Sequence, residues 1–341
     1  MAKTLAVIYR PKKFEDVCEQ KNVIGILQNQ LASGECKNAY LFCGGAGTGK
    51  TTCARIFANE LNGGKGVPIE IDGASNNGVE NVRGIIEQAK YMPLEGQYKV
   101  YILDECHMLS VGAWNAMLKL LEEPPARTIF IFCTTDPQKI PATILSRVQK
   151  YDFCRISREG IVARLKYICG QEKLSADDDA LEYLATLAAG GMRDAISLMD
   201  KCFSYSKNLT LKSVSEALGI VSYDTLLNIL TEVKNADVEA VLTIIDGIYK
   251  SGLDIKQFVK SFATFSIDIS IYATTGKMLF TRLPLSCKIT LDGLLKNFTK
   301  DDLLALADRA LKLQNDIKYD PSPLPLVQAF FVNITYVGEN K

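Results

Sequence analysis

A chain of 341 residues, 48% hydrophobic and 23% charged, carries enough apolar side chains for about two or three packed domains, which excludes a disordered or fibrous protein. Lys plus Arg and Asp plus Glu are each 39, so the formal net charge is zero and no bulk attraction to nucleic acid or membrane is built in; any contact with DNA must be local. There is no apolar run of about eighteen residues and no secretory leader pattern, and the 10 cysteines lie scattered without a C-x-x-C pair, as expected of small buried hydrophobes in a reducing cytoplasm.

Over the first 155 residues short apolar runs alternate with helical patterns, which implies an α/β domain with a parallel sheet covered by helices. A helix is expected over 21–33, with Ile24, Leu27 and Leu31 at helical spacing and Gly34 as its stop. An apolar strand over 39–43 then leads into Gly44, Gly45, Ala46, Gly47, Thr48, Gly49, Lys50 and Thr51, which fit G-x-x-x-x-G-K-[ST]. A helix over 50–61, continuing through Thr52, follows directly. That context makes the stretch a P-loop. Its glycines let consecutive backbone N–H groups turn inward around phosphate oxygens, and the helix N-terminus adds the positive end of its dipole. Lys50 is expected to reach the β/γ-phosphates and Thr51 to ligate Mg²⁺, so a nucleoside triphosphate with Mg²⁺ is the implied ligand.

Strands over 67–71 and 99–104 flank a helix over 78–91, and the second ends in Asp104 and Glu105, at the edge where open α/β sheets hold ligands. Asp104 is expected to hold Mg²⁺ through its hydration shell, and Glu105 to polarise a water for in-line attack on the γ-phosphate. This spacing after the P-loop suits an ATPase. His107, the single histidine, is read as structural because Glu105 already fills the base position. A helix over 111–122 is stopped by Pro124 and Pro125. Strand 128–133 ends in Thr134, Thr135 and Asp136, which either place a hydroxyl near the γ-phosphate or only bond backbone. Arg147 stands on a short segment between Pro141 and a strand over 149–153.

From Ser157 the strands are expected to stop. Ile161, Leu165 and Ile168 mark one helical face, and Ser175-x-x-Asp178 is a capping box for the next helix. Arg193 begins a helix, an unfavourable end for a cation unless an anion compensates it. Arg147 and Arg193 can each equally be surface or ion-pair residues. A small helical domain ends near Gly219, and residues 220–338 continue as amphipathic helices, with Thr299-x-x-Asp302 as a cap signal and Pro321, Pro323 and Pro325 as a break before the last. The expected domains are residues 1–155, 156–219 and 220–341.

Tyr9-Arg10-Pro11, the P-loop, Asp104 to Leu109 (DECHML), Leu118 to Pro125 (LKLLEEPP), Thr134 to Lys139 (TTDPQK), Ile144 to Arg147 (ILSR) and Gly191 to Ala195 (GMRDA), taken in this order, resemble the AAA+ clamp-loader ATPases. Among these the bacterial DNA polymerase III gamma/tau subunits are the nearest match, from about residue 5 to Tyr319-Asp320-Pro321. The resemblance implies an AAA+ P-loop domain, a small helical lid and an all-α collar for oligomerisation. It implies that Tyr9 and Arg10 line the adenine pocket, that Lys50, Thr51, Asp104 and Glu105 are the Walker residues, and that Thr135, or its neighbour Thr134, is sensor 1. Arg193 matches sensor 2, and Arg147 matches the arginine finger that acts on the nucleotide bound by a neighbouring subunit. The implied activity is ATP-driven loading of a sliding clamp onto primer–template DNA. The implied partners are delta-like and delta-prime-like subunits of a pentameric ring, the clamp, and a replicative polymerase whose active site lies elsewhere. DNA-backbone contacts are expected from helix N-termini and from Asn77 and Arg83, the latter equally a solvated helix charge.

Two alternatives share the ATP site. Another AAA+ DNA motor, such as a branch-migration helicase, gives no reason for the helical region from residue 220, and a nucleotide-binding scaffold without turnover has no need of intact Lys50, Asp104 and Glu105. Two departures from the family pattern stand out. The usual four-cysteine zinc module after the P-loop helix is missing, since Asn62 to Val67 passes straight to the next strand, and Cys43 and Cys53 are too far from a thiol pair to rescue such a site. No zinc is expected, and a divergent or phage-encoded lineage, or a shortened chain, is implied. The second departure is Val148, where the family has cysteine; packing rather than chemistry is expected to differ there.

Overall fold

In the computed structural model, which describes residues 4–93, 95–284 and 287–336, the apolar runs of the N-terminal region pair into one parallel sheet. Its strands are β1 (Ala39–Gly44), β2 (Ile69–Asp72), β3 (Lys99–Asp104), β4 (Thr128–Thr134) and β5 (Gln149–Phe153), in the order β2-β3-β4-β1-β5. Successive side chains point to opposite faces. Leu41 and Cys43 of β1 therefore join Tyr101, Leu103, Phe130 and Phe132 on one face. Tyr40 and Phe42 join Val100, Ile102, Ile129 and Ile131 on the other. Both faces are buried over the three inner strands, β1, β3 and β4, which is why these read as apolar runs, whereas the edge strands β2 and β5 alternate.

Helices cover the two faces. Those of this region are α1 (Leu5–Ile8), α2 (Lys21–Ser33), α3 (Lys50–Leu61), α4 (Val79–Ala89), α5 (Val111–Glu122), α6 (Ala142–Leu145) and α7 (Arg158–Glu172). Val23 and Leu27 of α2, with Cys53 and Phe57 of α3, close the Tyr40 face. Val82 and Ile85 of α4, with Trp114 and Met117 of α5, close the Leu41 face. Each large apolar side chain buried in this way contributes about 1.5–3 kcal/mol, so the sheet centre is stiff and the loops at its carboxyl ends inherit fixed positions. The start of α5 is capped by Ser110, whose hydroxyl accepts from Ala113 N at 3.2 Å.

The chain divides into two compact units, residues 1–168 with 188–197, and residues 169–187 with 198–341. The second contains β6 (Ser175–Ala176) and α8 (Asp178–Leu187), then α9 (Met192–Tyr205), residues 192–197 of which belong to the first unit. It continues through β7 (Asn208–Leu209), α10 (Leu211–Leu218), α11 (Tyr223–Lys234), α12 (Val238–Lys250), α13 (Ile255–Thr275), α14 (Lys288–Leu295), α15 (Lys300–Asp316) and α16 (Leu324–Tyr336). Its core joins Leu230, Ile245, Phe258, Phe262, Leu303 and Phe331, with the Phe331 ring 4.8 Å from that of Phe262.

Two local expectations are corrected. Strands do not stop at Ser157: Ser175 and Ala176 pair in parallel with Asn208 and Leu209, so Ser175 is an extended residue and not a helix cap. The helix starts at Asp178, and Asp178 and Asp179 in its first turn favour the positive end of the dipole. Pro325 lies inside the first turn of α16 rather than before it, a position where a missing N–H costs nothing. The Thr299 box at the start of α15 has both of its bonds, Asp302 N to Thr299 Oγ1 at 3.1 Å and Thr299 N to Asp302 Oδ2 at 3.3 Å. Residues 337 and 338 of the expected helical span lie outside the described residues. Among the described residues no helix is long and apolar enough to cross a membrane.

Candidate functional site

The site begins where β1 ends. At Gly44, with φ of 152°, a Cβ would stand 2.5 Å from the Phe153 carbonyl oxygen of β5, so only glycine lets the chain turn there. At Gly47, with φ of 69°, a Cβ would stand 2.9 Å from the Gly191 Cα, and Met192 N donates to Gly47 O at 3.0 Å. The loop is thus packed backbone to backbone on the start of α9. Lys50 is buried and its Nζ donates to the carbonyls of Gly44 and Gly45, both at 2.8 Å, while Thr48 Oγ1 donates to Gly45 O at 2.9 Å.

β3 brings the acids to the same edge. Thr51 Oγ1 donates to Asp104 Oδ2 at 2.8 Å, joining the loop helix to the β3 terminus. Glu105 has a left-handed backbone, φ 46°, and its N–H donates to Asp104 Oδ1 at 3.1 Å. From the end of β4, Thr135 Oγ1 donates to Glu105 Oε2 at 3.0 Å. His107 Nδ1 lies 3.2 Å from Thr134 Oγ1 and 3.4 Å from Glu105 Oε2. Asp136 N donates to Thr134 Oγ1 at 3.0 Å, so the fully buried Thr134 is engaged on both sides.

These groups surround a cavity of about 420 Å³, within the usual range for a small-molecule site. Tyr9, Arg10, Ala46 to Thr52, Asp104, Glu105 and Arg193 line it, and Gly44 and Gly45 stand at the turn just before this lining. Five basic side chains (Arg10, Lys50, Arg55, Arg164, Arg193) face three acidic ones (Asp104, Glu105, Asp194), an excess that suits a polyphosphate. Thr134 and Thr135 stay outside the lining and reach the site through His107 and Glu105. Arg147 is also outside it: its guanidinium donates to Glu122 Oε1 at 2.6 and 3.1 Å, to Thr143 O at 2.7 Å and to Ser146 Oγ at 3.0 Å. Asn77 and Arg83 are exposed, and Arg83 pairs with Glu80 at 2.7 Å on α4.

Two residues of the site carry no signal in the sequence. Arg164 reaches in from α7, donates to Tyr9 O at 2.9 Å and lies 5.0 Å from the Tyr167 ring, which fixes the segment carrying Tyr9 and Arg10. Gln20, buried and left-handed at φ 46°, bonds both ways to the Cys154 backbone, at 2.7 and 3.1 Å, and reaches Thr48 O at 3.4 Å. Neither belongs to a motif, because each acts on a stretch of chain more than a hundred residues away or on bare backbone.

For a divalent cation the fit is direct, since the Thr51 hydroxyl and the Asp104 carboxylate already touch beside the loop. Burial pushes Cys43 up to about 11 and Cys53 up to about 12, and Cys106 and Cys133 well above the ordinary thiol value. Among the described residues no group of three or more His, Cys, Asp or Glu is placed to hold a metal ion.

Comparison with known proteins places this geometry in context. Residues 67–157 match a family described as DNA polymerase III, delta subunit; residues 160–208 match the DNA polymerase III clamp loader subunit, ATPase lid domain; residues 209–339 match DNA polymerase III subunits gamma and tau domain III. The chain is 40% identical over 291 residues to DNA polymerase III subunit tau of Bacillus subtilis (strain 168), covering 78% of this chain and 51% of that protein. It is 30% identical over 343 residues to DNA polymerase III subunit gamma of Buchnera aphidicola subsp. Acyrthosiphon pisum (strain APS), covering 93% of this chain and 94% of that one. The chain spans about half the length of the curated tau and gamma/tau relatives it matches. Among solved structures, the Thermotoga maritima RuvB Holliday junction branch migration motor superposes with a TM-score of 0.53 at 18% identity, over 73% of this chain and 88% of that one. At that identity the likeness is one of fold alone.

Proposed function

The chain belongs to the gamma/tau family of DNA polymerase III subunits, and from that premise we propose that it is an ATP-hydrolysing subunit of a clamp loader, which opens a sliding clamp and loads it onto primer–template DNA. The observation that carries this reading is the convergence of Lys50, Thr51, Asp104, Glu105 and Arg193 on one cavity that also contains Tyr9 and Arg10.

In this reading the triphosphate lies over the loop, where the N-terminal N–H groups of α3 face it. Lys50 exchanges its two carbonyl partners for β/γ-phosphate oxygens. Thr51 and Asp104 would hold Mg²⁺, which neutralises phosphate charge when bound. Glu105 accepts a proton from the attacking water, and Arg193 takes charge on the γ-phosphate. Tyr9 and Arg10 receive the adenine side, kept in place by Arg164. Thr135 or Thr134 reports the γ-phosphate to the rest of the β4 terminus. No zinc enters the scheme, since no cysteine stands between Cys53 and Cys106.

Arg147 lines no part of its own chain's cavity and is held by Glu122 and the α6 region, which supports a role on a neighbouring subunit's nucleotide. Such a finger is worth about 10³ to 10⁵ in rate, so hydrolysis depends on assembly. The partners are the other subunits of the ring, the clamp, primer–template DNA and the replicative polymerase. The helices from residue 220 form the collar, and Asn77 and Arg83 contribute to DNA-backbone contact.

The test is ATPase activity with and without clamp and primer–template DNA, in the wild type, Lys50→Ala and Arg147→Ala. Clamp and DNA together are expected to stimulate more than the sum of each alone. Lys50→Ala loses ATP binding, whereas Arg147→Ala binds ATP and loses about 10³-fold or more in turnover. Stimulation by DNA alone with strand movement, or negligible turnover under every condition, overturns the proposal.

A further inference from the structure

We propose that His107 is a positioning residue for Glu105, holding one carboxylate oxygen so that the other is presented to water. The inference rests on the reading of Glu105 as the group that activates water. His107 is the one histidine of the chain, its side chain is only 12% exposed, and it sits three residues beyond the Asp104 that ends β3.

Nδ1 faces two oxygens, Thr134 Oγ1 at 3.2 Å and Glu105 Oε2 at 3.4 Å. An ionised carboxylate accepts hydrogen bonds and donates none, so only a proton on Nδ1 attracts it. With that proton the ring donates to Thr134 Oγ1 and sets the positive edge of its N–H beside Glu105 Oε2. The same Oε2 accepts from Thr135 Oγ1 at 3.0 Å, and the left-handed backbone at Glu105 limits where its side chain can go. Three constraints therefore act on Oε2 and the main chain, while no donor among the described residues engages Oε1. Thr134 is itself fixed by Asp136 N, so the histidine is braced by buried structure rather than by solvent. A base must sit within hydrogen-bond reach of the proton it takes, and a displacement of about 1 Å can cost on the order of 10²-fold in rate. A partial loss of this bracing is expected to cost roughly tenfold.

The kinetic test compares His107→Ala, His107→Phe and His107→Asn in the loader assembly with clamp and DNA. In Ala and Phe kcat falls about tenfold while KM for ATP stays within about twofold. Asn, whose amide N–H can stand near the Nδ1 position, recovers most of the loss. Turnover of Ala and Phe within twofold of wild type overturns the proposal, as does an Asn variant no better than Phe. A second measurement needs no turnover and no histidine variant. The ring resonances of His107, unambiguous because it is the one histidine of the chain, are recorded by NMR in the nucleotide-free protein, and Glu105→Gln is expected to shift them. Unmoved resonances overturn the proposal even if the kinetic variants misfold. Absence of wild-type ATPase instead removes the clamp-loader reading, a different result from normal wild-type turnover that His107 substitutions leave untouched.

Discussion

Gly47 is fixed as glycine twice over: its φ of 69° is a left-handed conformation, and the backbone of Gly191 occupies the space a side chain would need. Gly47→Ala is expected to lose about 1–2 kcal/mol from the backbone conformation alone, with a further loss because Gly191 is main chain and cannot swing aside. ATP affinity falls with it, since the loop must move. Gly25 in α2 is the contrast: nothing stands within 4 Å of its missing Cβ, so Gly25→Ala is expected to gain about 0.5–1 kcal/mol. Urea unfolding of the two variants, read beside nucleotide titration, checks the pair, and equal stability would refute the close packing of the loop on α9. The loop itself is legible in the sequence because eight consecutive residues carry the whole pattern, from Gly44 to Thr51. Gly191 is not legible as its partner, because the contact spans 144 residues of chain, from 47 to 191.

Elements were legible where burial imposes a simple pattern. The strand expected over 99–104 forms with those bounds because Val100 to Leu103 lie inside the sheet and are buried on both faces, and the one expected over 149–153 forms as an edge strand in which only Tyr151 and Phe153 are buried. The strand expected over 67–71 starts later, at Ile69: Pro68 has no N–H for a ladder, and Val67 is 88% exposed. The two-residue ribbon of β6 and β7 had no readable signal, since neither periodicity nor composition exists over two residues. The two capping patterns give opposite expectations. Thr299→Ala removes a bonded cap and is expected to cost about 1 kcal/mol, whereas Ser175→Ala alters an exposed ribbon residue and is expected to stay within about 0.5 kcal/mol of wild type. Chemical unfolding with both variants measures this, and a larger loss at Ser175 would restore it as a cap.

At the scale of the whole molecule, the proposed reaction is divided between chains. Arg147 is fixed by Glu122, Thr143 and Ser146 and is not part of the cavity that contains Lys50. If it serves a neighbour, two inactive variants complement each other in assemblies holding more than one copy of this chain. A Lys50→Ala chain still offers Arg147, and an Arg147→Ala chain still offers a complete loop. Mixing them before assembly is expected to recover a substantial fraction of ATPase activity. Recovery no greater than the sum of the separate variants would place Arg147 outside the reaction.

By itself the sequence determined the phosphate loop, the acid pair at the end of β3, the alternating order of strands and helices, and the family. All of these are local patterns, set by backbone freedom, side-chain period and the chemistry of adjacent residues. Only the tertiary structure decided which distant groups meet: Arg164 on Tyr9, Gln20 on Thr48 and Cys154, Gly191 under Gly47, and His107 between Thr134 and Glu105. Such contacts depend on how far the sheet and its helices bring remote segments together. Packing sets that distance, and a linear pattern does not record it.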